Sequence, residues 1–391
     1  MSTEAPIDVS KTRRELLSSV EDIADTLTAQ APIDEAHNTL SPESVKILED
    51  AGMFRLKLPA ELGGAEADPT TQMLVLEALA YASSAASWCA MVGSTSVGLP
   101  GAFLPDTAIA EMFPSGHIPL GAVVAMPIGK TEIVDGGYLL SGRWPFASGV
   151  RHSEWIGAGA IVVRDGTPER RMMVFPTASV ELHDNWQVAG LKGTGSCDFS
   201  VDGLFVQEAF TWNLLDGVQN RGGPVYQIGH PGFVANEHAG FALGVARRAL
   251  DAFTEREAAK KRGYTGKLSS LSARPAVQRM LGAGDLKLRA ARSLAIELND
   301  AAYQAVVEGG RPSTRLQGEL RAIASYCTEV ALEVVTDTFR YSGGGAIYQQ
   351  NILQQCLRDM NVAAQHLMVS EIAYENLGQM MLGVPDVNPM Q

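Results

Sequence analysis

Residues 142–165 read Gly142-Arg-Trp-Pro-Phe-Ala-Ser-Gly-Val-Arg-His-Ser-Glu-Trp-Ile-Gly-Ala-Gly-Ala-Ile-Val-Val-Arg-Asp165. The short apolar runs, the β-branched residues and the flanking glycines predict strands. Trp144 and Phe146 offer flat apolar faces, and Gly149 lets a planar ligand come close to the backbone. Ser148 between them supplies one hydroxyl that can donate or accept. Two plainer readings stand beside these. Aromatic residues also fill ordinary cores, and a serine in a turn often bonds its own backbone.

Working outward, residues 119–212 read as strands throughout. Asp135-Gly136-Gly137 is a hairpin turn, and 156–163, 171–175 and 199–206 are further strands, predicting an antiparallel sandwich or barrel. Before it, residues 1–118 read as a helical domain. Ser41-Pro42-Glu43 is a cap followed by proline at the first helical position; that helix stops near Gly52, and another follows through Met73, Leu76 and Leu79. The stretch 78–105 carries no charge but is rich in Ala, Ser, Gly and Thr. That composition predicts a close-packed buried helix and not a membrane span. After the strands, residues 213–391 repeat apolar positions at helical spacing: Leu243, Ala246, Leu250 and Phe253; Leu320, Ile323, Cys327 and Ala331; Leu353, Leu357, Met360, Ala364 and Leu367. The expected fold class is α+β: an N-terminal helical domain, a central β-sandwich or barrel, and a C-terminal four-helix bundle.

The chain has 391 residues, 46% hydrophobic and 19% charged, as in a soluble globular protein. Its 44 acidic residues against 31 basic ones give a net charge of −13, which argues against nucleic-acid partners. Cys89, Cys197, Cys327 and Cys356 form no CxxC pair and no zinc spacing, so reduced buried thiols and a cytoplasmic location are expected, with no metal.

Three phrases carry a family resemblance. They are Gly142 to Gly149 with His152 and Trp155; Trp186-Gln-Val-Ala-Gly-Leu-Lys-Gly-Thr-Gly-Ser196; and Cys356-Leu-Arg-Asp359 with His366 seven residues on. The chain resembles the acyl-CoA dehydrogenase superfamily over nearly its full length. Within it, the chain is most similar to the two-component flavin-dependent monooxygenases. The dehydrogenases carry a glutamate base about eight residues after the Arg-Asp pair. Here Leu367 holds that place and His366 precedes it, while Glu375 lies eight positions beyond and reads as a solvated helix residue.

The resemblance implies an oxygenase that receives reduced flavin (FADH2 or FMNH2) from a separate reductase. It forms a flavin C4a-hydroperoxide with O2 and oxygenates a small aromatic or heteroaromatic substrate. Ser148 is implied as the contact to the flavin N5 proton, and His366 as acid or base. Their side chains are expected to face one flavin cavity. Trp144, Phe146, Gly149, Thr194, Ser196, Arg274, Gly343, Gly344 and Gly345 are candidate flavin contacts, the glycine run reading equally as a helix C-cap. Trp88, Ser96 and His238 fall on the substrate side. Family hydroxylases often carry a second histidine where Ser96 stands, which weakens phenol hydroxylation and leaves nitrogen, sulfur or indole oxidation open. A homotetramer is implied as well. Two alternatives remain: a divergent acyl-CoA dehydrogenase with bound FAD, and a catalytically silent member of the fold.

Overall fold

A computed structural model of the chain describes residues 8–214, 217–262 and 269–390. Five helices come first: α1 (Val9–His37), α2 (Pro42–Asp50), α3 (Pro69–Ala82), α4 (Ser84–Phe103) and α5 (Asp106–Met112). Seven strands follow: β1 (Gly121–Val134), β2 (Gly137–Ala147), β3 (Trp155–Arg164), β4 (Thr167–Pro176), β5 (Glu181–His183), β6 (Cys197–Gln207) and β7 (Thr211–Asn213). Then come α6 (Gly232–Ala252), α7 (Pro275–Val307), α8 (Thr314–Ser342), α9 (Ile352–Ala363) and α10 (Ile372–Met381). The chain divides into two compact units. The first holds residues up to Thr71, Ala85–Val188 and Lys192–Gly229; the second holds Gln72–Ser84, Ala189–Leu191 and the residues from His230 on.

In the first unit, Ser41 caps α2 as its sequence requires: extended backbone, with its hydroxyl accepting from Ser44 N at 3.2 Å. The uncharged α4 is small-sided because another segment presses on it. A Cβ on Gly98 would sit 2.6 Å from the Lys57 carbonyl oxygen, and one on Gly93 2.6 Å from the Phe54 ring. Among the described residues, no helix is long and apolar enough to cross a membrane.

The strands form one seven-stranded sheet in the order β5-β6-β2-β1-β3-β4-β7. Residues 135–136 and 165–166 close two-residue hairpins, with φ of +52° at Asp165 and +81° at Gly166 as a primed turn needs. The expectation of antiparallel pairing is corrected at one place. The sheet is mixed, with β5 and β7 at the ends of its strand order, and β1 pairs with β3 in parallel. The cause is the segment 148–154. It carries the chain from β2 to the far edge of β1, so β3 enters running the same way as β1.

Trp144 lies within this sheet's core, 0% exposed, stacked on Phe199 at 5.1 Å, its indole N–H donating to the Gly159 carbonyl at 2.9 Å. Gly129 and Gly142 exist to admit that ring: a Cβ on either would fall 2.5 or 2.8 Å from it.

In the second unit, α6, α7, α8 and α9 pack on one another around Ala246, Leu250, Ala324, Cys327, Ala331 and Val335. Gly240 and Gly244 bring α6 against α3, where a Cβ would lie 2.3 Å from the Met73 carbonyl and 2.1 Å from that of Glu77. The third periodic set breaks early. The α9 helix ends at Ala363, and Leu367 is 67% exposed, so it is not a core position. The four cysteines are buried and free; burial pushes the Cys327 and Cys356 thiols up to about 12.

Replacing Gly98 with alanine forces the Lys57 backbone aside and is expected to cost about 1–3 kcal/mol of unfolding free energy. Gly282→Ala in α7, where a Cβ meets nothing within 4 Å, is expected to add up to about 1 kcal/mol. Paired denaturant melts read both.

Candidate active site

At the end of β2 the backbone makes an abrupt turn. Phe146 has φ of +65° and Gly149 of +74°, and Gly149 N donates to the Thr194 carbonyl at 2.9 Å. This turn and the short helix Lys192–Thr194 thereby hold Ser148, Thr194 and Ser196 together. Ser148 Oγ lies 2.7 Å from Ser196 Oγ, which lies 2.7 Å from Thr194 Oγ1. From α4, the Trp88 indole N–H donates to Ser148 Oγ at 3.0 Å. The three hydroxyl residues and Trp88 are all buried.

The chain of hydroxyls has two orderings. If Ser148 donates to Ser196, its oxygen accepts from Trp88 and keeps a lone pair for a further N–H donor. If the order runs from Thr194 through Ser196 to Ser148, both lone pairs are used and the Ser148 proton can be donated outward. The set therefore offers either sense of hydrogen bond from one atom.

Two aromatics flank this turn differently from Trp144. Phe146 is 65% exposed on a left-handed backbone that a bulky residue rarely adopts, and its ring meets Trp186 edge-on at 6.4 Å and 79°. An exposed, strained aromatic beside a buried hydroxyl is a feature of binding sites rather than of cores. Trp144 is corrected from candidate ligand wall to core residue, because it has no free surface. His152, behind Gly149, is half-buried and packs on the Phe54 ring at 5.8 Å. Its Nδ1 has no hydrogen-bond partner among the described residues, and burial lowers its pKa to about 4. A Cβ on Gly149 would sit 3.0 Å from the His152 ring, so glycine is needed there for space as well as for φ.

The second unit holds His366 and His238, whose ring centroids are 4.4 Å apart. His238 is buried on α6. His366 is not on a helix, contrary to its sequence spacing. It stands at the start of the short turn Leu367–Val369, where its Nδ1 accepts from Met368 N at 3.2 Å. That bond fixes the neutral ring with its proton on Nε2. His366 keeps exposed surface, and the hydration it loses on its protein-facing side lowers its pKa to about 4. At neutral pH it is an uncharged donor through Nε2, rather than a group poised between two protonation states.

The Arg358-Asp359 pair braces a loop. Asp359 accepts from Ser84 Oγ at 2.5 Å and Leu191 N at 2.6 Å, and Arg358 donates to the Ala189 carbonyl at 2.6 Å. The sequence reads this pair as structural, but nothing in the spacing relates residue 359 to 84 or 191.

The other candidates are engaged locally. Ser96 spends its hydroxyl on the Val92 carbonyl at 2.6 Å, one turn back in α4. Arg274 is half-buried just before Pro275 at the start of α7. Gly343, with φ of +66°, ends α8, and Gly344 and Gly345 continue into a short helical turn. The run is a C-cap, because the next long helix starts only at Ile352.

His152 and His366 are neutral when folded but protonate near 6.5 when unfolded. Stability is thus fully present above pH 6.5 and falls as pH drops toward about 4. For His152 the loss is on the order of 2 kcal/mol. His152→Asn is expected to flatten this part of a melting-temperature against pH curve; an unchanged slope contradicts the buried neutral ring.

The comparisons agree with this architecture. Residues 10–102 match the acyl-CoA dehydrogenase N-terminal domain and residues 237–371 the acyl-CoA dehydrogenase C-terminal domain, together more than half of the chain. The chain is 29% identical over 346 residues to an indole-3-acetate monooxygenase of Pseudomonas putida, covering 88% of this chain and 87% of that one. It is 26% identical over 392 residues to HsaA, a flavin-dependent monooxygenase oxygenase subunit of Mycobacterium tuberculosis, covering 96% and 97%. The solved structure of XiaF from Streptomyces, in complex with FADH2 and glycerol, superposes with a TM-score of 0.89 over 98% of each chain at 22% identity. With both halves of one family's architecture matched in order around the sheet, the chain belongs to the acyl-CoA dehydrogenase superfamily.

Proposed function

We propose that this protein is the oxygenase component of a two-component flavin-dependent monooxygenase. It takes reduced flavin from a separate reductase and oxygenates a small aromatic or heteroaromatic molecule. One observation carries the reading. The place of a dehydrogenase's carboxylate base is held by exposed Leu367 beside His366, and Glu375 is exposed on α10. The names of the relatives point the same way, since both are monooxygenases.

The residues around Ser148 fit a flavin's polar edge. They offer hydroxyls and an indole N–H, a tight turn at Gly149, and an exposed aromatic face at Phe146. Bound reduced flavin supplies the electrons that activate O2. In the first hydroxyl ordering Ser148 would hold the flavin by accepting from its N5–H, with Trp88 fixing the serine oxygen in place. Thr194 and Ser196 keep that oxygen from water, since all three side chains are buried. His366, its ring tilted by 36° against that of His238, would be the neutral donor to the substrate through Nε2. Arg274 remains a candidate phosphate contact. The protein works in the cytoplasm as a homotetramer. Apolar side chains left exposed on α7, Leu286 at 64% and Leu294 at 42%, support self-association.

Purified protein mixed with FADH2 or FMNH2 and air is expected to delay hydrogen peroxide release and to oxygenate an indole-type probe. Bound yellow FAD that reduces a dye with acyl-CoA would instead establish the dehydrogenase alternative, and indifference to both flavin states the silent one. His366→Ala is expected to lower product formed per reduced flavin by on the order of 10². Ser148→Ala is expected to speed peroxide release with little change in fold.

A further inference from the structure

We infer that Arg321 and the segment Asn388–Met390 are positioning residues for His366, clamping the turn that carries it. The inference rests on the reading of His366 as a site residue, though the clamp itself can be tested without it.

His366 lies between α9 and α10, where no long helix holds the backbone. Its local bonds are those of a single short turn: His366 N to the Ala363 carbonyl at 3.1 Å and Val369 N to the His366 carbonyl at 3.0 Å. One turn of this kind has poor hydrogen-bond geometry and is not stiff by itself. The stiffness comes from α8. Arg321 Nη2 donates to the Leu367 carbonyl at 3.2 Å, and Ser325, one turn further along α8, donates to the Ser370 carbonyl at 3.2 Å. Below the turn, Met368 and Val369 enter an apolar cluster with Leu320 and Ala324 of the same helix.

The other arm of the guanidinium reaches a distant part of the chain. Arg321 Nη1 donates to the Pro389 carbonyl at 2.9 Å, and Met390 packs on the cluster that holds Met368 and Val369. Asn388 shapes this contact by accepting from Met390 N at 2.9 Å. Arg321 is 1% exposed, so its charge is costly unless carbonyl oxygens replace its water. The planar fork spans two separate backbones at once, which a lysine ammonium does not do. Each strand of the clamp therefore depends on the other: without Pro389 and Met390, water reaches the guanidinium and the apolar floor under the His366 turn.

The test is amide hydrogen exchange on flavin-free protein, with Pro389→Gly plus Met390→Ser as one variant and Arg321→Lys as a second. Exchange at Met368 and Val369 is expected to quicken at least tenfold while the β-sheet core is unchanged. Met390→Leu, which keeps the packing, is expected to restore protection. Unchanged exchange in the Pro389/Met390 variant overturns the clamp even if Arg321→Lys fails to fold. In turnover, product per reduced flavin is expected to fall several-fold at unaltered KM for flavin. Faster exchange with undiminished product would leave the clamp standing and remove His366 from the chemistry.

Discussion

A single buried carboxylate ties distant stretches of the second unit together. Asp359 accepts from the Ser84 hydroxyl at the head of α4 and from the backbone N–H of Leu191. A buried carboxylate with both oxygens engaged is costly to disturb, because a lost partner leaves charge unsolvated. Gly190 reports how tight the anchor is: a Cβ there would fall 2.3 Å from the Arg358 carbonyl oxygen.

The polar groups of the candidate site are of one kind. Hydroxyls and a neutral imidazole can donate or accept, an indole N–H donates, and none of them carries net charge at pH 7. Two imidazoles at 4.4 Å would repel if both were cations, and burial already favours the uncharged ring of His366. Such a set is suited to holding a proton in place and excluding water. It is poorly suited to pulling a proton from carbon, which calls for a carboxylate or another strong base. The difference between the two kinds of chemistry in one fold rests on a few side chains, while the layers of helix and sheet stay the same.

The sequence was most legible where local rules decide. Ser41-Pro42 marked a helix start, Asp135-Gly136 marked a hairpin, and the uncharged run before residue 105 marked a crowded helix. It was least legible where partners are far apart in the chain. The hydrophobic period carried the last helix through Leu367, yet α9 stops at Ala363. There the bonds from Arg321 and Ser325 to the turn's carbonyls replace the bonds a helix would make. Trp144 was misread as a ligand wall because its neighbours in sequence, Phe146 and Ser148, do line the turn; the pleat and a left-handed residue separate them.

By itself, then, the sequence determined the element types, the helix–sheet–helix order and the residue kinds available for chemistry, because caps, turns and periodicity act over a few residues. Tertiary structure alone decided the parallel pairing of β1 with β3, the hydroxyl chain from Trp88 to Thr194, and the protonation state of His366. Those depend on burial and on hydrogen bonds between residues tens to hundreds of positions apart, which no local pattern encodes.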